Sequence, residues 1–145
     1  KQRGTELHSF AEQSIKHRIK LQPGLTHPAV ANFVNDAIGY NMATEVVLYY
    51  SPYAFGTADA IRYDPPTKDN PRGFLRIHDL KTGVTKPKME QLIVYAAYFF
   101  IEYAIKPEKT DMELRIYQGS DIQYSYPEAE DIYDIIHTIK EFSAV

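Results

Sequence analysis

No cysteine occurs among the 145 residues, and that absence removes several chemistries together: a disulfide framework, a thiolate zinc site, an iron-sulfur cluster and a cysteine nucleophile. Any bound metal has to rest on oxygen and imidazole. Long apolar runs are missing too. The longest, residues 92–101, falls well short of the roughly 20 residues that span a bilayer, so it reads as a buried helix and no membrane partner is expected. Neither G-x-x-x-x-G-K-[ST] nor G-x-G-x-x-G is present, which excludes a nucleotide site built on those loops. Excess charge of one sign is also lacking, since 16 basic and 19 acidic residues leave a formal charge of −3. A nucleic-acid partner would therefore need a local basic patch. Basic side chains do gather at Lys16, Arg18 and Lys20 and at Lys81, Lys86 and Lys88, clusters that a solvated surface explains equally well. No cleavable signal is visible, and a cytoplasmic location is the expectation.

What is present is the composition of an ordinary globular chain, 44% hydrophobic and 24% charged, expected to form one domain over residues 1–145. Leu7, Phe10, Ala11 and Ile15 recur at helical spacing within residues 3–21, with Glu6 expected in the first turn. Pro28 opens a second helix whose face carries Val30, Phe33, Val34, Ala37 and Ile38, and Gly39 is expected to close it. Three segments rich in β-branched and aromatic residues follow, 43–50, 54–63 and 73–81, and read as a meander of strands. An apolar helix over 88–103 comes next, then strands 112–118 and 122–126 around the turn Gly119-Ser120, then a helix opened by Pro127 with Ile132, Ile135, Ile136 and Ile139 on one face. The order is ααβββαββα.

Chemistry concentrates in the second and third strands. Side chains of a strand alternate faces, so Asp79 and Lys81 project to the same side. In Gly56-Thr57-Ala58-Asp59 a second acid follows a glycine and small residues, leaving room for a close-approaching ligand or backbone. If the strands pair as a meander, the two acids meet at one end of the sheet, where they repel unless a hard divalent cation lies between them. Gln91 and Tyr95 are four apart and share a helix face. His17, His27, His78 and His137 lack ligand spacing, and His78 faces away from Asp79. Tyr49, Tyr50 and Tyr53 are left without an assigned role.

Four ordered motifs, Gly4-x-x-x-His8, Gly56-Thr57-Ala58-Asp59, Asp79-Leu80-Lys81 and Gln91-x-x-x-Tyr95, resemble those of the RecB-like exonuclease branch of the PD-(D/E)XK nuclease superfamily. The resemblance implies a restriction-endonuclease-like α/β core, a mixed central sheet flanked by helices, hydrolysing DNA phosphodiester bonds with Mg²⁺ or Mn²⁺. It assigns the metal to His8, Asp59, Asp79 and the Leu80 carbonyl, the attacking water to Lys81, and support of the site or DNA contact to Gln91 and Tyr95. Glu45 matches a position where relatives often carry an acid. Exonuclease action in recombination, repair or phage DNA processing is the expectation, in a bacterial or phage-infected cell, with a homo-oligomer or a recombination partner protein left open. The chain lacks the four cysteines of cluster-bearing relatives, and a helix ahead of Gly4 is expected to be missing. Lys81-Thr82-Gly83 imitates the K-T-G of serine acyl-enzymes, but no S-x-x-K supplies a nucleophile. The rival reading is a nuclease-fold module without catalysis that binds nucleic acid or a partner protein.

Overall fold

A computed structural model describes residues 2–143. Its elements run α1 (Gln2–Lys16), α2 (Pro28–Gly39), β1 (Ala43–Ser51), β2 (Ala54–Asp64), β3 (Gly73–Lys81), α3 (Glu90–Glu102), β4 (Thr110–Gln118), β5 (Asp121–Ser125) and α4 (Ala129–Ser143), with a 3₁₀ turn Pro107–Lys109 before β4. The five strands form one mixed sheet in the order β1-β2-β3-β4-β5. Neighbours are antiparallel except β3 and β4, which run parallel, the pairing that a crossover through α3 allows. No helix among the described residues is long and apolar enough to cross a membrane.

Each face of the sheet carries its own helical layer. Leu75 and Ile77 point to one side and pack with Leu92, Ala96, Phe99 and Phe100 of α3 and Ile132 of α4. Leu80 and Tyr117 point to the other side and pack with Ala11 and Ile15 of α1 and Val30, Phe33 and Val34 of α2. Complete burial of Leu92 contributes about 2 kcal/mol, the usual yield for a leucine taken out of water, and within the apolar run 92–101 Ala96 to Phe100 are buried as well, while Ile93, Val94, Tyr95 and Ile101 stay half-buried.

Several boundaries differ from the sequence reading. Helix α1 stops at Lys16 rather than near Leu21, because Arg18 adopts a left-handed conformation at φ 58°; its guanidinium bonds the Asn41 side chain instead. Since α1 starts at Gln2, Glu6 lies beyond the first turn and gains little from the helix dipole. Gly39 is the last residue of α2, but the left-handed position that turns the chain is Asn41, φ 53°; asparagine tolerates this better than most residues.

Candidate active site

The two acids meet where β2 leaves β3. Pairing between these strands ends at Ala60↔His78, while β2 continues toward the β1 turn alongside β1 alone. At this fork the alternation of β2 slips: Ala58 packs against α3 and Ala60, two residues on, lies in the core under α1 and α2. Opposite the slip, Glu45 has a left-handed backbone at φ 52°. The result turns Asp59 inward. Its Oδ2 accepts the Leu80 backbone N–H at 2.7 Å, a charge-assisted bond worth about 1.5–3 kcal/mol that replaces the ladder bond lost at the fork.

Asp79 projects from β3 into the gap between the sheet and α3, with only 6% of its surface exposed. Burial, and secondly the nearby Asp59 carboxylate, push its carboxyl up to about 7, and the Lys81 ammonium only partly opposes them. Lys81 Nζ lies 3.2 Å from Asp79 Oδ2, yet that oxygen is fully buried and accepts no hydrogen bond. The ammonium is within ion-pair distance without meeting hydrogen-bond geometry: charge attracts it, but the acceptor remains unsatisfied. A buried carboxylate oxygen with spare capacity beside a second carboxylate is what a hard cation would satisfy.

Helix α1 brings His8 over the same spot. Nε2 lies 2.7 Å from the Leu80 carbonyl and 3.5 Å from Asp59 Oδ2, while Nδ1 lies 2.8 Å from the Gly4 carbonyl. Carbonyl oxygens only accept, so both ring nitrogens donate and the imidazole carries a proton on each. The Asp59 contact is the largest cause that raises it, to about 9. The glycine of the first motif is therefore the partner of Nδ1, and its bare Cα lets the helix end approach Thr82, whose Oγ1 would lie 2.9 Å from an added Cβ.

Helix α3 supplies the last wall. Lys81 Nζ donates to Gln91 Oε1 at 3.3 Å, and Gln91 Nε2 donates to Tyr95 Oη at 3.1 Å. The space beside Gly56 is occupied by the Tyr95 ring: a Cβ there would lie 2.3 Å from Tyr95 Cε1. Burial, then the charges of Asp79 and Asp59, raise the Tyr95 hydroxyl.

The structure thus gathers His8, Asp59, Asp79, Leu80, Lys81, Gln91 and Tyr95 into one continuous set of contacts. Glu45 joins its rim, its carboxyl raised by desolvation first and by Asp59 and Glu12 next. Glu12 escaped the sequence reading; its signal is its place one turn after His8 on α1. Among the described residues no three imidazole or carboxylate side chains alone close into a metal cage, so a cation here would also use the Leu80 carbonyl. His78 points to the opposite face, against Tyr40 and Tyr117. Comparison of the chain with protein-family profiles, curated proteins and solved structures finds no match.

Proposed function

We propose that this chain is a divalent-metal-dependent deoxyribonuclease of the PD-(D/E)XK type, RecB-like, hydrolysing DNA phosphodiester bonds from an end. The observation that carries the reading is the pair Asp59 and Asp79 at one fork, one oxygen of Asp79 buried without a hydrogen bond, with an ammonium at 3.2 Å. Asp59, Asp79, the Leu80 carbonyl and His8, once it has given up a proton, are the donors suited to Mg²⁺ or Mn²⁺. When bound, such an ion stabilises the charge that builds on the phosphoryl oxygens.

The chain's own residues do the rest. Lys81, held between Asp79 and Gln91, is placed to orient an attacking water and to offset negative charge on the phosphate. The Lys81 ammonium can only donate, so it takes the Gln91 oxygen, and the Gln91 amide N–H is left to donate to the Tyr95 hydroxyl. Gly4 sets which proton of His8 would leave: with Nδ1–H held by its carbonyl, Nε2, now donating to the Leu80 carbonyl, is the nitrogen whose lone pair would face a cation after deprotonation.

End-labelled linear and closed circular duplexes incubated with Mg²⁺, Mn²⁺ or chelator test this reading. Metal-dependent loss of the linear substrate, abolished by Asp79→Ala, is the expected result. DNA that is retained but never degraded under any divalent ion, with Asp79→Ala behaving as wild type, would leave only a binding module.

A further inference from the structure

The lysine cluster at residues 81–88, ambiguous in the sequence, lines a pocket. Lys81, Thr85, Lys86, Pro87, Lys88 and Gln91 line an open depression of about 380 Å³ beside the candidate active site, which is at the scale of pockets that take small ligands, from about 300 Å³. Lys86 and Lys88 are exposed, and neither forms an ion pair among the described residues, whereas Lys81 is shared with Asp79. The connection that carries them is held in place. Gln118, the β4 partner of Lys81 in the parallel register, donates through Nε2 to the carbonyls of both Gly83 and Thr85, at 2.8 and 2.9 Å. Two uncompensated ammonium groups on an anchored loop, in a chain of net charge −3, form a local site for an anion.

From this we infer that the pocket binds a backbone phosphate of the DNA strand next to the phosphate being cut, with Lys86 and Lys88 as its cationic contacts and Gln118 as the positioning residue of their loop. The inference rests on the nuclease reading, because Lys81 and Gln91 belong to both sites and an anion seated here adjoins whatever lies on Asp79. Sequence is not read by such contacts; register is. The pocket therefore fixes how far the strand advances before cleavage.

The test is fluorescence anisotropy of a short labelled oligothymidylate with the intact chain in chelator, across a salt series, beside steady-state degradation of the same strand with Mn²⁺. In Lys86→Gln/Lys88→Gln the dissociation constant should rise about tenfold and the slope of log affinity against log salt should flatten by about one to two counterions. KM should rise in parallel, with kcat moving much less, and Gln118→Leu should reproduce a weaker form of the same split while Gln118→Asn partly restores it. Matching melting curves show that these surface variants fold. Unchanged affinity and salt slope with cleavage intact overturn the pocket and spare the nuclease. Lysine-dependent binding with no cleavage of this strand or of linear duplex by any variant or wild type supports an anion pocket and overturns the nuclease reading on which its role in register depends.

Discussion

Asp79 is a carboxylate held where ionisation costs free energy. Between its ordinary value of 3.8 and the raised value of about 7, the folded chain keeps a proton that the unfolded chain has released, so metal-free stability falls as pH rises through that window. Asp79→Asn removes the effect. Urea unfolding in chelator at pH 8 should find the variant more stable than wild type by at least about 1 kcal/mol, with the gap closing near pH 4 and activity gone throughout. A variant less stable at pH 8 would mean that the carboxylate is already satisfied. His8 titrates in the same sense. Its folded value of about 9 lies above the ordinary 6.5, so its share of stability is present below pH 6.5 and is lost as pH rises through 9. Coordination through Nε2 requires that proton to leave. Mn²⁺ uptake at pH 7.5 should therefore release protons, measurable by calorimetry in two buffers of different ionisation enthalpy, and His8→Gln should release fewer.

At the scale of elements, the site depends on α3 lying close against β2. Gly56 permits this, because any Cβ would drive into the Tyr95 ring. Gly56→Ala should cost about 1–3 kcal/mol by overpacking and slow cleavage through the displaced Tyr95-Gln91-Lys81 chain. In a Tyr95→Ala background the same substitution should cost less, and equal costs in both backgrounds would sink the packing argument. Strand and helix identities were legible because they are local: alternation marks β3 from Gly73 to Lys81, and the face of Val30, Phe33, Val34 and Ala37 marks α2. The shared face of Asp79 and Lys81 followed from the same period. Other features were not legible, for physical reasons. The slip at Asp59 needs a left-handed Glu45 on another strand, a conformation no β propensity foretells. The docking of His8 onto the Leu80 carbonyl joins residues 72 positions apart; the periodicity of α1 does not encode it, and only the resemblance of Gly4-x-x-x-His8 to a family motif pointed to it. The early end of α1 is a local cap, a left-handed Arg18 with the Ile19 N–H bonded back to the Ser14 carbonyl, but it falls on an arginine rather than on the glycine that usually announces such a cap.

For the whole molecule, the two faces of β3 set opposing responses to pH. His78 is buried opposite Asp79, and burial first, then the charges of Arg115 and Arg76, push its imidazole down to about 3. Tyr117 gives its one hydroxyl proton to Asp36 at 2.6 Å, so the 3.3 Å contact with His78 makes Nδ1 the donor and leaves the buried Nε2 bare and without a partner. Here the unfolded chain takes up a proton that the folded chain refuses, so stability is full above pH 6.5 and is lost as pH falls toward 3. This slope runs against that of Asp79. Between pH 4.5 and 6 the two should nearly cancel in the metal-free protein. His78→Phe should expose a stability that declines with rising pH, and Asp79→Asn one that climbs, each by about 1.4 kcal/mol per pH unit. Parallel profiles for the two variants would refute the assignment.

All of the proposed chemistry depends on Asp59 and Asp79 acting together on one cation, and calorimetric titration of Mn²⁺ into the DNA-free chain at pH 8 tests that most directly. Saturable uptake by wild type, lost in both Asp59→Asn and Asp79→Asn, is the predicted result; no uptake by wild type, or uptake that survives either substitution unchanged, contradicts it.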